Sequence, residues 1–496
     1  MGRARQEFKS SISGLLLREK TAGALPALES AKAEADKPDF RTPRSPNLET
    51  SYVLWRWLRS ANILGVLATL LLFLGPGCSR RASQEPVTVT FLDVEWEAPD
   101  QLPGLAQDLQ DFTRETGIQV KRLPAPDGSL HQLALWKELL QKGSATPDVY
   151  SIDVIWSGIL GQYLLDLKPH FTSGIAGQSP VVIASYTVGD KLVAMPRHTY
   201  VGVLLYRTDL LRRYGYHDPP KTWDELERMS RRIQAGERAK GQKDFWGFVW
   251  QGAGGENLTC NGLEWQIGDG GGRIIEADKT ISVNNPQTIR AWKRAASWVG
   301  SISPPGVTAF AKWDAENAWA SGKVAFLRGW ASDYSLINVH KPPDGTAEFG
   351  VTSVPGGVQG QVGTLGGNGL AISRSSQHPR EALELIRFLL RRDAQIVNAT
   401  AHAEPPKEVK LYELPPVLQL YPELPKLREH GAGLVARPSV VAGQKYEEVT
   451  TAYIQAVHSV LTGEADASAA ADALEKKLVE ITGFKVGPPA RWVDSR

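Results

Sequence analysis

Two cysteines in 496 residues leave no disulfide framework to build on. Cys260 has no second cysteine or histidine at metal or catalytic spacing, so it reads as a buried thiol. Neither sign of charge is in excess, with 56 Lys and Arg against 54 Asp and Glu. No basic stripe carries interleaved aromatics, which excludes an electrostatically driven nucleic-acid binder and favours a neutral ligand. The chain contains no Walker loop, no intact G-x-G-x-x-G, no G-x-S-x-G, no H-E-x-x-H and no C-x-x-C. Nucleotide, dinucleotide, serine-hydrolase and zinc-protease chemistries therefore have no sequence support. The nine histidines are scattered, and neither a metal nor a cofactor is expected. Carboxylates near strand ends (Asp93, Glu95, Glu97 and Asp153) leave a glycoside-cleaving pair open, although spacing ranks none of them.

Tryptophan, by contrast, is abundant: 15 residues against 13 Tyr and 13 Phe. An indole joins an apolar face to an N–H donor, a combination suited to sugar rings. The stretch "FWGFVWQG" (245–252) places Trp246, Phe248 and Trp250 on one side of an extended segment, as core or as an apolar platform.

Residues 1 to 50 are polar, basic and proline-containing, and match no export signal. Then "WRWLRSANILGVLATLLLFLGPGC" supplies Arg56 and Arg59, an apolar stretch from Ile63 to Leu74, and a Gly-Pro-Gly before Cys78. The apolar stretch is too short to span a bilayer comfortably. The arrangement resembles a bacterial lipoprotein signal, with Cys78 lipidated and first in the mature chain; Pro76 departs from the usual small residue. If Cys78 carries lipid, no intramolecular disulfide remains.

After a linker at 79–86, strand and helix alternate. "VTVTFLDV", "IQVKRL" and "PDVYSIDV" read as strands; Leu102–Glu115 and Leu130–Gln141 read as helices ended by Gly117 and Gly143; an amphipathic helix follows to Leu164. This order predicts a parallel sheet covered on both faces. Thr222 and Glu225 stand at capping-box spacing, Pro379 opens a helix, and Tyr446–Leu461 and Ala467–Ile481 form two more. The run "PGGVQGQVGTLGGNG" (355–369) lacks the Lys-Ser/Thr ending of a phosphate cradle and reads as a hinge or loop. With 251–272 and 403–406 it makes three Gly/Pro-rich joints, suggesting two α/β lobes connected more than once.

"PDVYSIDVIWSGILGQYLLDL", "LLYRTDLLRRYGYHDPPKTWDELERMSRRIQAGE" and "DFWGFVWQG" together resemble family 1 extracellular solute-binding proteins of carbohydrate ABC importers, nearest the trehalose/maltose-binding branch. The resemblance runs from about Val87 to the last helix. It implies an α/β, two-lobed periplasmic-binding-protein fold (type II), each lobe a mainly parallel sheet flanked by helices, with the ligand cleft between them. Lobe 1 would comprise 87–196 plus about 370–402, and lobe 2 would comprise 197–369 plus about 403–496, after the leader and signal at 1–78.

The same resemblance implies a ligand set. Asp153 would accept sugar hydroxyls, Trp330 would stack, Arg437 would donate from its fork, Gly367 would let backbone approach the ligand, and Gln101 stands where the family has an acidic contact. His198 and Tyr200 replace a Tyr and an Asp of the trehalose/maltose branch, Asn368 replaces an aromatic after the double glycine, and His131-Gln132 replaces an Arg pair. Implied partners are a mono- or disaccharide, the permease with its ATPase, and the membrane through a lipid anchor, with the chain monomeric and exported to the periplasm or cell surface. A glycoside-active enzyme and a receptor-coupled sugar sensor are the alternatives.

Overall fold

The computed structural model describes residues 86–94, 103–126, 128–176, 178–333, 348–401, 409–421 and 433–490. All belong to one compact unit, residues 83–496. Cys78, Gln101 and the signal segment lie outside the described residues.

The first half of the chain builds the expected alternation. Strand β1 (Thr88–Leu92) is followed by helix α1 (Pro103–Thr116), β2 (Gln119–Leu123), α2 (Ser129–Gln141) and β3 (Val149–Asp153). β1 pairs in parallel with both β2 and β3, and α1 and α2 supply the crossovers. Gly117 at φ 76° and Gly143 at φ 64° take the left-handed conformation beyond the two helices, as their positions suggested. Past β3 the chain departs from expectation. In place of one amphipathic helix to Leu164 there are a 3₁₀ turn at Val154–Trp156, the short helix α3 (Ser157–Leu160) and another 3₁₀ turn at Gly161–Tyr163. Backbone packs closely here: a Cβ at Gly158 would lie 2.1 Å from the carbonyl oxygen of Ser439.

A small hairpin, β4 (Thr187–Val188) with β5 (Lys191–Leu192), precedes the long strand β6 (Met195–Arg207). Then come β7 (Trp246–Val249), β8 (Val324–Trp330), β9 (Phe349–Ser353), the second long strand β10 (Val362–Ile372) and β11 (Gly433–Val435). The main sheet runs β2-β1-β3-β10-β6-β8-β7, with β11 added to β10 and β9 to β6. β1 is parallel to β2 and β3, β7 to β8 and β10 to β11, whereas β10 is antiparallel to β3 and β6, and β6 is antiparallel to β8 and β9. β6 starts against β10 and ends between β8 and β9. β6 and β10 therefore run side by side from one part of the sheet into the other. The glycine run read as a hinge or loop ends in this strand: Val362 to Gly369 are in β10, with the register slipping between Asn368 and Gly369.

Most described tryptophans are core. Trp136, Trp156, Trp223, Trp250, Trp265, Trp292, Trp298 and Trp319 are all essentially inaccessible. Trp265 meets Trp250 and Trp298 edge-on at 5.1 and 5.8 Å, and Phe248 meets Trp298 at 5.7 Å. Phe248 and Trp250 of "FWGFVWQG" join this cluster and Trp250 and Gln251 are buried, whereas Trp246 is half-buried elsewhere with Arg238 4.4 Å over its ring. Tryptophan abundance is thus satisfied largely by packing.

The capping box is formed, Glu225 N–H donating to Thr222 Oγ1 at 3.2 Å and Thr222 N–H to Glu225 Oε2 at 3.2 Å, at the start of helix α4 (Trp223–Ala239). The segment read as a joint at 251–272 is mostly helix α5 (Glu256–Gly268), buried from Leu258 onward on every face. A helix without a polar stripe lacks the periodic signal that marks surface helices, and its flanking glycines resemble a loop. Cys260 sits inside it, and burial pushes its thiol up to about 12.

Candidate ligand site at the crossing strands

Strand pairing assembles the central group. Asn368 of β10 stands opposite Asp153 at the end of β3 on one side and opposite His198 of β6 on the other. One step along, Gly367 faces Thr199 and Gly366 faces Tyr200. The His198 and Tyr200 rings lie nearly parallel with centroids 6.0 Å apart. Asn368 and His198 are buried at 5% and 8% exposure, which leaves little volume for a larger ring at position 368. Gly367 has φ 125°, and a Cβ there would lie 2.0 Å from the His198 carbonyl oxygen. The close approach inferred for this glycine is therefore one that it makes to the neighbouring strand.

Asp153 caps the 3₁₀ turn that follows it, its Oδ1 accepting from Ile155 N–H at 3.1 Å. Its side chain keeps 35% of its surface accessible. Burial holds the carboxyl above the usual carboxylate range, and the Arg437 guanidinium, 4.0 Å away, opposes that rise. Arg437 is 7% exposed and donates to Glu256 Oε1 at 3.0 Å and to the Leu365 carbonyl at 3.2 Å, while its buried Nε–H has no partner among the described residues. Burial lowers and the surrounding anionic groups raise its pKa, which ends well above the ordinary value. Its partners are thus a half-buried carboxylate, 27% accessible, and a strand carbonyl.

Trp330 ends β8 opposite Gly202 of β6. Its indole N–H donates to Asn257 Oδ1 at 3.1 Å and its backbone N–H to Asp333 Oδ2 at 2.7 Å. At 9% exposure it is far from an open platform: Arg328 covers the ring at 4.4 Å, and a Cβ at Gly366 would sit 2.8 Å from it.

Residues that motif matching passed over hold this group. Glu256, the first residue of α5, accepts from Arg437, from Thr450 Oγ1 at 2.8 Å and from the Tyr446 hydroxyl. With Asn257, one helical turn grips both Arg437 and Trp330. The signal in the sequence is "GGEN", an acidic residue just after glycines at a helix start, and the glycines that make 251–272 read as a joint obscure it.

A second buried cluster adjoins Trp330. Lys312 Nζ binds Glu316 and lies 3.1 Å from Asp333, the residue that accepts from Trp330 N–H. Burial and the Asp333 charge push the Glu316 carboxyl up to about 7, against the pull of Lys312. The folded chain thus holds a proton that the unfolded chain releases near 4.5. Stability contributed by this group is full below about 4.5 and falls as pH rises to about 7. Glu316→Gln is expected to flatten that slope and to exceed the parent in stability at pH 8 by on the order of 1–3 kcal/mol. Urea melts at pH 5 and pH 8 measure both; a parent whose stability is level between them contradicts the assignment.

Residues 97–396 match the bacterial extracellular solute-binding protein family. The chain belongs to that family. A probable ABC transporter-binding protein of Deinococcus radiodurans is 39% identical over 374 residues, covering 75% of this chain and 89% of that one. A putative binding protein of Brucella abortus is 29% identical over 217 residues, 43% of this chain and 49% of that protein. Among solved structures, maltose-bound MalE3 of T. maritima superposes with a TM-score of 0.70 at 30% identity, covering 80% of this chain and all of the other. The GacH receptor of Streptomyces glaucescens, solved unliganded and with acarbose, gives 0.68 at 21% identity over 81% of this chain and all of the other. The architecture is the two-lobed, MalE-like periplasmic-binding-protein fold, with β6 and β10 in its curled sheet. Among the described residues no helix is long and apolar enough to cross a membrane.

Proposed function

We propose that this chain is the sugar-capturing subunit of an ABC importer rather than an enzyme. The observation that carries the reading is the convergence of Asp153, Asn368, His198, Tyr200, Arg437 and Trp330 around the two crossing strands, in a fold shared at 30% identity with a maltose-bound protein. Asp153 takes sugar hydroxyls, the fork of Arg437 donates to a ring or glycosidic oxygen, and the accessible edge of Trp330 meets an apolar sugar face. Lobe 1 comprises 87–196 with about 370–402, and lobe 2 comprises 197–369 with about 403–496, so two of the three joints fall within β6 and β10, and the third, near 402–403, lies outside the described residues. Closure of the lobes buries the sugar and creates the surface that the permease reads.

The substrate is a disaccharide or related glycoside. His198 and Tyr200 stand in place of the Tyr and Asp of the trehalose/maltose branch, which favours a sugar other than maltose, with trehalose or a trehalose-like sugar in the set. A thermal-shift screen of the protein against trehalose, maltose, sucrose and their monosaccharides tests the reading, because a ligand that binds only the native state raises Tm. Turnover of a labelled oligosaccharide, or no shift with any sugar, refutes it.

The chain is tethered as a monomeric lipoprotein through Cys78, on the strength of the Cys-terminated apolar segment. Wild type should incorporate labelled fatty acid and Cys78→Ala should not; equal labelling of the two removes Cys78 as the anchor.

A further inference from the structure

We propose that Arg328 and Glu264 are positioning residues for the cleft: their buried ion pair fixes the plane of the Trp330 ring and ties that ring to both crossing strands. The inference rests on the sugar-binding reading above. Arg328 on β8 and Glu264 on α5 are 1% and 0% exposed, and the guanidinium Nε and Nη2 donate to Glu264 Oε2 and Oε1 at 2.9 and 2.5 Å. Such a pair has a fixed fork geometry and little freedom to rotate.

Its surroundings make it more than a core contact. The guanidinium carbon lies 4.4 Å from the Trp330 ring centroid, so its orientation restrains the ring. Glu264 Oε1 also accepts from the backbone N–H of Thr364 in β10 at 3.0 Å. On β6, Gly202 packs so closely that a Cβ would lie 2.1 Å from Glu264 Oε1 and 2.5 Å from Arg328 Nη2. Gln251 completes the enclosure, its Nε2 donating to the Arg328 carbonyl at 2.9 Å and its Oε1 standing 3.4 Å from Nη1. One ion pair therefore touches β6, β10 and the ring at the end of β8. A hydrophobic pair of similar volume could fill the same space, and stability alone does not require the charges. What the charges add is direction: a planar cation behind the ring and a carboxylate bonded to a crossing strand.

The experiment uses the full chain labelled with 5-fluorotryptophan, the Trp330 ¹⁹F resonance being assigned by its loss in Trp330→Phe. The hydrophobic double variant Arg328→Met with Glu264→Leu, of similar total volume, is expected to melt within a few degrees of the parent. Its Trp330 resonance should shift and broaden, and its affinity for trehalose or maltose, whichever binds the parent more tightly, should fall about tenfold. A double variant with parental melting, resonance and affinity overturns the proposal. Should the double variant not fold, Arg328→Lys, which keeps the buried charges paired but loses the fork, is read in the same two ways. If Trp330→Phe and Trp330→Ala both retain parental sugar affinity, the cleft reading fails; the ¹⁹F signal still decides whether the ion pair orients the ring.

Discussion

Gly367→Ala is expected to destabilise the protein by about 3 kcal/mol or more, one of the largest effects available to a single methyl group here. Two costs combine. Gly367 has φ 125°, a conformation that side-chain-bearing residues rarely adopt, and the added Cβ would lie 2.0 Å from the His198 carbonyl oxygen and 2.8 Å from its carbon. The clashing atoms are backbone of β6, so no rotamer change relieves them. Either β6 and β10 separate locally, breaking the register that sets Asn368 against His198, or the strain is retained. Urea denaturation of parent and variant measures the cost. A loss below 1 kcal/mol would show that the strands part freely at this point.

Asp153→Ala is expected to weaken sugar binding by about 1.5–3 kcal/mol, the range for hydrogen bonds to an ionised group. The carboxylate sits at the end of β3, beside Asn368 and 4.0 Å from the Arg437 guanidinium, with a third of its side chain accessible. Burial raises its pKa above the ordinary carboxylate value, and only the ionised form accepts the stronger, charge-assisted bonds from hydroxyls. Affinity should therefore be level above the raised pKa and fall as pH drops through it. Asp153→Asn keeps the shape and should bind weakly at every pH, without that fall. Calorimetric titrations across pH 4 to 8 separate the cases. Equal affinity of parent and Asn variant at pH 7.5 removes Asp153 from the site.

Legibility in the sequence followed how local each signal was. The β1-α1-β2-α2-β3 alternation, the Thr222/Glu225 capping box and the helices from Pro379 and Tyr446 are short-range patterns, and all are present. Asp153 could be placed at a strand end only through its match to the strand-end aspartate of the family's D-V-x-W motif, since the apolar run continues past it through Val154, Ile155 and Trp156. β10 was obscured by its own composition: glycines permit close strand approach and also mimic a loop. Glu264 and Arg328 were invisible for a different reason. A buried charge pair 64 residues apart looks, residue by residue, like two surface charges, and only the fold brings them together. Tryptophan abundance misled in the opposite direction, since a ring buried against other rings and a ring awaiting a sugar have the same letter.

Cys260 gives the molecule a built-in clock. It is the lone thiol after residue 78 and is sealed inside α5, with its pKa pushed up to about 12, so an alkylating reagent at neutral pH meets neither an accessible nor an ionised sulfur. Labelling must wait until the helix detaches from its neighbours. Its first turn grips Arg437 and Trp330, and its carbonyl at Cys260 accepts from Thr364 of β10 at 3.1 Å. The rate at which Cys260 is alkylated thus reports how often the heart of the cleft comes apart, and a bound sugar should lengthen the interval between those events.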